Sequence, residues 1–517
     1  MMFTKSKTAK NKEPKEIKEI SEELTSQTKK IIMMITVFIS LAVLMLCYSR
    51  GISGNDFWWH IKVGEWILDN GYVPSHDIFS WYGMSENISW TPHEWLSDVI
   101  FYLVYSAAGQ AGIFILSLLS AAIMVLLIGI RLKEKLFCNM PVTLCYICFF
   151  TVLTSMFFYG RPHLFSYFLM FALFYVLYKF RDNENYKGIF ALPLIAALWS
   201  NLHGGSSNMA YIIPIVFLVT NLKQFSCARL EGRKFTKKQI IITCAMIIGA
   251  AAAIFVNPVG KDVFLYPYKS MSDSFMLDVI SEWASPDAKQ ISQILCFFVP
   301  IFLIGHGMIF SEKKLNFTDT AYFLMFLYLF FRSSRFIMLF CIAAVFFAAD
   351  YIADIKSRNI KKKSEKAAVG LLCVLFAGLS FYGAGKMVIL NDSDSLVSTA
   401  LDQKMVDYVK NDPSERLFND YNYGETLIYN NVEVFFDARA DLYAQKNIMR
   451  DGVGLLYLQQ TSKNSTEKYI DVEKMIDKYD FDGFLISKSR PLYVYLLNAD
   501  GYELVYETSD AGYFKRS

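Results

Sequence analysis

The sequence predicts an α-helical polytopic membrane protein with a small α/β domain at its C-terminal end. Hydrophobic residues make up 54% of the 517 residues and charged residues only 19%, whereas an average soluble domain has about 45–50% and about 25%. Long apolar runs recur along the chain, with basic segments between them. These observations exclude a large soluble enzyme, a disordered chain and a disulfide framework. The net charge of +3 gives no sign of nucleic-acid binding.

The apolar runs define the membrane domain, which we place at residues 31–390. A helix rises about 1.5 Å per residue through a hydrocarbon core of about 30 Å, so a run of about 20 apolar residues can span a bilayer. The sequence predicts about eleven such spans. They lie near 31–49, 110–130, 139–158, 164–180, 188–202, 209–222, 239–256, 292–310, 319–331, 336–354 and 367–389.

Lysine and arginine clusters predict the orientation of these spans. With eleven spans, every cluster falls on the same side as the lysine-rich N-terminal tail, residues 1–30. We therefore expect a multi-pass protein of the cell membrane whose N-terminal tail lies in the cytoplasm. The first span is expected to be a retained signal anchor, and the C-terminal domain, residues 391–517, is expected to be extracytoplasmic. The clusters are Lys5 to Lys30, Arg131 to Lys135, Lys179 to Arg181, Arg229 to Lys238, Lys313 to Lys314 and Lys356 to Lys366.

The first outer loop, residues 50–109, is dense in aromatic and titratable side chains. Asp56 and His60 are four residues apart and would share one face of a helix. A second helix is expected to start with Thr91 as its cap and Pro92 at its first position. We predict that both helices lie in the membrane interface, the first through the apolar residues Phe57, Trp58, Ile61 and Trp66.

Polar and ionisable residues also lie at the outer ends of the other predicted spans. A single residue of this kind is commonly a membrane anchor or a solvated loop residue. Their accumulation on one side, however, predicts an outward-facing cavity. The candidates for binding a substrate in this cavity are His60, His93, Arg161, His163, Asn201, His203, Lys261, Arg332 and Arg335.

The C-terminal domain alternates short apolar runs with helix-like segments, which is typical of an α/β domain. Strands are predicted at 416–418, 432–436, 483–486 and 503–506, and helices at 404–409, 472–479 and 492–498. Asp437, Arg439 and Asp441 follow the second predicted strand. They could face the cavity, but we interpret them as a structural loop. The domain is expected to cap the cavity or to help recognise a substrate.

Several short motifs on the outer side form a pattern known from other membrane proteins. An acid directly after the first span, together with two helices in the first outer loop, resembles the GT-C glycosyltransferase superfamily, which includes the protein O-mannosyltransferases. Many members have two adjacent acids at this place, whereas here Asp56 lies between Asn55 and Phe57. The chain looks closest to a group of bacterial membrane proteins related to that superfamily. The motifs are Asp56-Phe-Trp-Trp-His60, Pro74-Ser-His-Asp77, His93-Glu-Trp-Leu96, Arg161-Pro-His163, Trp199-Ser-Asn-Leu-His-Gly204, Asn419-Asp-Tyr-Asn-Tyr-Gly424 and Phe436-Asp-Ala-Arg-Ala-Asp441.

The resemblance implies a transferase that moves a sugar from a polyprenyl-phosphate carrier to an extracytoplasmic acceptor, with inversion at the anomeric carbon. A base must take the proton of the attacking hydroxyl, and a carboxylate suits this task. Asp56 is the first candidate, because the resemblance carries this position. Asp77 and Glu94 are the second choices.

The leaving phosphate gains negative charge and needs cations. Arg161, Arg332 and Arg335 are the candidates, because a guanidinium matches phosphate oxygens with two hydrogen bonds. Some members of the superfamily use a divalent metal ion and others do not. If a metal ion takes part here, Asp56 and His60 are the ligand candidates.

Two other classes of function stay open at this point. A lipid or glycan transporter or flippase would also contain a polar cavity, although the sequence shows no convincing internal repeat. A non-catalytic membrane scaffold would need only an outer binding domain. A cavity that places Asp56 opposite arginines and histidines favours the transferase. A pathway open to both faces favours transport, and no cavity at all favours the scaffold.

Overall fold

The computed structural model describes residues 56–136, 150, 153, 157–158, 160–183, 186–272, 283–290, 293–359, 401–460 and 469–517. The tail 1–30, the predicted spans near 31–49 and 367–389, and most of the span near 139–158 lie outside the described residues.

The first outer loop contains the helices α1 (Phe57–Asn70) and α2 (Trp81–Ser85). Helix α1 ends at Gly71, whose φ of 75° lets its N–H bond to the carbonyl of Ile67. The prediction that the second helix starts at Pro92 is wrong. The backbone forms a turn at His93 and Glu94, and α3 (Trp95–Leu136) begins after it. This helix continues into the membrane domain and is interrupted at Gly109, whose φ is 58°.

The membrane domain continues as a helical bundle, and segments at the predicted spans from 164–180 to 336–354 are helical. Two described stretches, Trp95–Leu132 and His163–Asp182, are long and apolar enough to cross a membrane, and other apolar helices of the described part have 10–17 residues. The count of eleven spans therefore stays a prediction. The helices are α4 (His163–Asn183), α5 (Tyr186–Ile189), α6 (Leu192–Leu202), α7 (Met209–Thr220), α8 (Lys237–Ala253), α9 (Lys261–Ser272), α10 (Val299–Phe310), α11 (Phe317–Arg332), α12 (Ile337–Phe347) and α13 (Ala349–Asn359).

Several of the basic clusters meet at one end of this bundle, which we call the basic end (residues 178–182, 225–232, 311–319 and 350–354). Arg181 pairs with the buried Asp319 at 2.8 Å, and Lys314 donates to Ser226 at 2.5 Å. Arg229 donates to the carbonyl of Ser311. A small sheet lies here, formed by β1 (Phe225–Cys227), antiparallel β2 (Leu230–Gly232) and β3 (Leu315–Asn316), which is parallel to β2. The clusters at Lys179 to Arg181, Arg229 to Lys238 and Lys313 to Lys314 thus share one end, as the predicted topology requires.

The C-terminal domain is α/β, as predicted. Its sheet has the order β4-β5-β7-β6, in which β4 and β5 are parallel and the remaining pairs antiparallel. The strands are β4 (Leu417–Asn419), β5 (Gly483–Ser487), β6 (Tyr502–Glu507) and β7 (Ala511–Arg516). The helices are α14 (Gln403–Asn411), α15 (Gly424–Tyr429), α16 (Ala440–Tyr443), α17 (Ile448–Tyr457), α18 (Val472–Tyr479) and α19 (Pro491–Asn498).

The strand predicted at 432–436 is wrong. The backbone of Val434 bonds to Phe79 and Trp81 of the first outer loop rather than to the sheet. Phe435 and Phe436 are nevertheless fully buried. These residues are apolar because they are buried between the domain and the loop. The sequence pattern does not distinguish this kind of burial from burial in a sheet.

The first outer loop and the C-terminal domain share one hydrophobic core. Trp59, Val63 and Ile67 of α1, with Ile88 and Trp90, pack together with the buried residues of the domain. The opposite face of α1, with Phe57, Trp58 and Ile61, is buried in the core of the bundle. Helix α1 therefore packs between the bundle and the domain. The apolar face that was predicted to lie in the membrane interface contacts protein instead.

Candidate active site

A cavity of about 800 Å³ lies at the end of the bundle opposite the basic end, beneath the C-terminal domain. It is enclosed by α1, the start of α3, the turns before α4 and after α6, the junction of α11 with α12, and α16 and α17 of the domain. Most of the predicted site residues line it. These are Asp56, His60, His93, Glu94, Arg161, His163, His203, Arg332 and Arg335.

Three predicted site residues lie outside the lining of this cavity. Asp77 is buried and accepts a hydrogen bond from Arg439 at 2.8 Å. Asn201 accepts from the indole N–H of Trp95 at 3.0 Å and donates to backbone carbonyls, so it joins α6 to α3. Lys261 is exposed at the start of α9.

Asp56 immediately precedes α1, and its side chain makes no capping hydrogen bond to the helix. Its carboxylate is instead directed at Arg161, with Oδ2 3.3 Å from Nη2. Arg161 lies in the turn that starts α4, where its carbonyl accepts from the N–H of Leu164. Because the Asp56 side chain is 27% exposed and the Arg161 side chain 16%, both remain accessible from the cavity.

Glu94 lies at the centre of a group of imidazoles. Its carboxyl oxygens are 3.2 Å from Nε2 of His203, 3.6 Å from Nε2 of His93 and 3.8 Å from Nε2 of His60. The other ring nitrogen of His60 hydrogen-bonds to Asp98 at 2.5 Å. The three segments that carry these groups are far apart in sequence and converge only through packing of α1, α3 and α6.

The His203 side of this group continues into a network of hydroxyls. Nδ1 of His203 lies 2.6 Å from the hydroxyl of Ser166 and 2.9 Å from that of Ser206. The indole of Trp199 donates to Ser166 at 2.7 Å. These bonds fix the His203 ring with its Nε2 toward Glu94, as buried polar networks do when every member has a partner.

Burial sets the charge states of the group. It lowers the pKa of His60 and that of His93 to about 3, and with Arg335 nearby it holds the pKa of His203 well below its usual range. Burial, reinforced by the like charge of Asp98, raises the pKa of Glu94 well above its usual range. The imidazoles are therefore neutral at pH 7, and burial shifts Glu94 toward its protonated form, which can donate a hydrogen bond.

A cationic wall faces these groups. Arg335 donates through Nε to Nε2 of His163 at 2.9 Å, and its guanidinium lies 5.4 Å from the ring centre of Trp283. Arg332 ends α11 and projects an exposed side chain at the cavity margin. Together with Arg161, the two arginines provide three guanidinium groups around one polar space, the arrangement that suits a bound phosphate.

Sequence reasoning missed several groups of the site. Asp98 lies two residues beyond the motif His93-Glu-Trp-Leu96, and its spacing of four residues from Glu94 was the available signal. Asp441 was interpreted as part of a structural loop, but it lines the cavity, as Tyr266 does. Tyr266 and Ser166 carry no motif, and only the folded chain places them here.

The arrangement of Asp56 and His60 does not resemble a metal centre. Asp56 faces Arg161 and the Nδ1 of His60 is bonded to Asp98. Within the part of the chain that the structure describes, no group of three or more His, Cys, Asp or Glu side chains is placed to hold a metal ion.

Three solved structures share the fold of this chain. It is similar to the archaeal oligosaccharyltransferase AglB from Archaeoglobus fulgidus, solved with an inhibitory peptide and a dolichol-phosphate, with TM-score 0.57, 12% identity and coverage of 95% of this chain and 75% of that chain. An Archaeoglobus fulgidus oligosaccharyltransferase complex with Zn and sulfate gives TM-score 0.53, 12% identity and coverage of 87% and 68%.

A third similar structure is ArnT from Cupriavidus metallidurans, bound to undecaprenyl phosphate, with TM-score 0.50, 10% identity and coverage of 94% and 98%. No protein-family model and no curated protein matches the sequence. The chain therefore shares its fold with these GT-C structures, and the resemblance drawn from its motifs is confirmed at the level of the fold.

Proposed function

We propose that the protein is a membrane glycosyltransferase that transfers a sugar from a polyprenyl-phosphate carrier to an extracytoplasmic acceptor. The observation that carries this proposal is the cavity in which Asp56 faces Arg161, with Arg332, Arg335 and the neutral imidazoles around it. The fold supports it, because structures with this fold were solved with dolichol-phosphate and with undecaprenyl phosphate.

The three arginines would bind the carrier phosphate. As the bond between C1 of the sugar and the phosphate oxygen breaks, its electron pair stays on that oxygen and the phosphate gains charge. Arg161, Arg332 and Arg335 would stabilise this charge. Arg335 is held by His163 and Trp283, so little reorganisation is needed when the phosphate binds.

Asp56 would act as the base. The acceptor oxygen attacks C1 from the face opposite the phosphate, which inverts the anomeric carbon, and the hydroxyl proton passes to the Asp56 carboxylate. Glu94 is less suited to this task, because burial raises its pKa and so disfavours the carboxylate form that a base needs. Its role would be to donate a hydrogen bond. Asp77 would be structural, because Arg439 holds it outside the cavity.

The sharpest test uses Asp56→Asn in membranes that contain the full chain. We expect transfer from a panel of radiolabelled polyprenyl-phosphate sugars to fall at least about 100-fold, the usual contribution of a general base. Asp69→Asn is the matched control, because Asp69 is exposed on the same helix, α1. Arg161→Ala and Arg332→Ala should weaken binding of the same donors.

Each part of the proposal can fail separately. Full transfer by Asp56→Asn would show that another group is the base. Unchanged donor affinity in both arginine variants would remove the phosphate site. If no donor of the panel is turned over by the wild type, the transferase itself is rejected.

The described residues do not favour the two other classes. The cavity is lined only from one end of the bundle, whereas the basic end is packed around the buried pair of Arg181 and Asp319. A transport pathway would have to pass this end. A scaffold gives no reason to bury an acid among three imidazoles, since buried ionisable groups are costly unless they have a task.

A further inference from the structure

A second cavity, of about 610 Å³, lies directly beside the first. Its walls come from the first outer loop at 73–75 and 89–91, from the region of α9, and from the C-terminal domain at 441–445. The two cavities share Trp90, Tyr266, Ser270, Trp283 and Asp441 as lining residues. A molecule in the second cavity would therefore face the cavity that we assign to the donor.

Asp441 and Tyr266 form the boundary between the cavities. Both residues line both cavities, and on the donor side the ring of Tyr266 stacks on His93 with 3.7 Å between the ring centres. A carboxylate has about four acceptor positions on its two oxygens. Asp441 can thus accept a hydrogen bond from a hydroxyl that passes between the cavities.

The lining of the second cavity combines flat aromatic rings with polar side chains. Trp90, Tyr266 and Trp283 supply the rings. Gln445 is held in place by a hydrogen bond from its amide to the carbonyl of Ser89 at 2.7 Å, and Asp262 lies 3.8 Å from Lys269. A sugar ring has an apolar C–H face that can lie on an aromatic ring and hydroxyls at its edge that need carboxylate and amide partners, so a carbohydrate matches both parts of this lining.

We propose that the second cavity binds a carbohydrate acceptor and presents its hydroxyl past Asp441 to the donor in the first cavity. The inference rests on the proposed transferase and specifies its acceptor. The acceptor hydroxyl forms the new bond to C1, the bond from C1 to the carrier phosphate breaks, and the proton goes to Asp56. Asp441 binds and positions the acceptor.

The test blocks the second cavity while leaving the first unchanged. Ala444→Trp fills it from the side of the C-terminal domain and Val259→Trp from the side of the bundle, and neither residue lines the first cavity. Asn498→Trp, at the exposed end of α19, is the control. Membranes receive radiolabelled polyprenyl-phosphate sugars, and the label is separated into glycan, protein and lipid fractions.

In the wild type and in Asn498→Trp, we expect label in the glycan fraction. Both blocking variants should lower it at least 10-fold, while their affinity for the donor stays within twofold of the wild type. Full transfer by both blocking variants would overturn the acceptor site. Label recovered in protein or lipid instead of glycan would overturn the carbohydrate.

A second measurement keeps the inference testable if the wild type turns over no donor, which would reject the proposed function. The purified full chain is then applied to an array of fluorescent oligosaccharides of two to six hexose units. Binding by the wild type that Ala444→Trp and Val259→Trp abolish would support the carbohydrate site on its own. Absence of binding by the wild type would overturn it.

Discussion

Arg439 is a buried cation that joins the C-terminal domain to the first outer loop. Its guanidinium contacts Asp437 at 2.7 Å and Asp77 at 2.8 Å, and its side chain is only 1% exposed. The ring of Trp90 lies 4.9 Å from it. Because two carboxylates depend on one guanidinium, the residue neutralises charge that could not otherwise stay buried.

We expect Arg439→Met to destabilise the protein by about 3–5 kcal/mol, the usual cost of breaking a buried ion pair from one side. The exposed pair of Arg416 with Asp480 provides the control. Arg416→Met should cost less than about 1 kcal/mol. Denaturant unfolding of the purified full chain in detergent measures both. Similar losses in the two variants would contradict the structural role of Arg439.

His93 makes stability depend on pH. Burial lowers its pKa from 6.5 to about 3, so the folded chain keeps it neutral while the unfolded chain protonates it below about pH 6.5. The unfolded state then binds more protons, so this contribution is complete above pH 6.5 and is lost as the pH falls toward 3. At pH 5 the loss amounts to about 2 kcal/mol.

We expect the loss of stability between pH 7 and pH 5 to be smaller by about 2 kcal/mol in His93→Asn than in the wild type. Comparing the two proteins at both pH values removes the contributions of other groups, such as Asp441, whose pKa burial raises to about 6. His76→Asn is the control, because His76 is exposed. An unchanged pH slope in His93→Asn would show that His93 titrates normally in the folded chain.

At the scale of elements, the contact of α1 with α3 positions the candidate site. Gly64 lies where the two helices meet, and a Cβ there would collide with the carbonyl oxygen of Asp98 and lie 2.7 Å from Cβ of Tyr102. Any larger residue must push the helices apart. The same contact sets the 2.5 Å hydrogen bond between His60 and Asp98.

Gly64→Ala should therefore destabilise the chain by about 1–3 kcal/mol, as overpacking usually does, and reduce transfer because His60 moves away from Asp98. Gly188→Ala is the matched control, because its Cβ would meet only Val176 at an ordinary 3.9 Å. Unfolding and transfer assays on both variants give the comparison. Wild-type behaviour of Gly64→Ala would mean that the two helices can adjust their spacing.

Elements with their own periodic pattern could be predicted from the sequence. The helix expected at 472–479 is observed as Val472–Tyr479. It could be predicted because its apolar residues lie on one side and pack against the domain core, and because Asp471 caps its start. The segment 432–436 could not be predicted, since its hydrogen-bond partners, Phe79 and Trp81, belong to a distant loop. A local pattern of apolar residues predicts that a segment is buried, but it does not predict which part of the protein covers that segment.

At the scale of the whole molecule, the site is assembled from segments that only the fold brings together. The motifs predicted Asp56, Arg161 and His203, and all three line the cavity. The motif residue Asp77, however, is paired with Arg439, 362 positions away. Motif content alone did not separate residues that face the cavity from residues that hold the domain in place, because both kinds are polar and lie on the outer side.

The separation of the two ends of the molecule predicts its orientation. Basic clusters meet at one end and the cavity opens at the other, so the positive-inside rule places the basic end in the cytoplasm. Cys227 is an exposed free cysteine in β1 at the basic end, and Gln445 is exposed beside the second cavity. These two positions therefore report on opposite faces of the membrane.

On intact cells, a membrane-impermeant maleimide should leave Cys227 unlabelled and should label it only after the membrane is permeabilised. A Gln445→Cys chain that also carries Cys227→Ser should be labelled on intact cells, because its new thiol lies on the outer side. Cys227→Ser alone measures labelling of the remaining cysteines and is subtracted from both signals. Labelling of Cys227 on intact cells, with protection of Gln445→Cys, would invert the topology. It would place the candidate site in the cytoplasm, where an extracytoplasmic acceptor could not reach it.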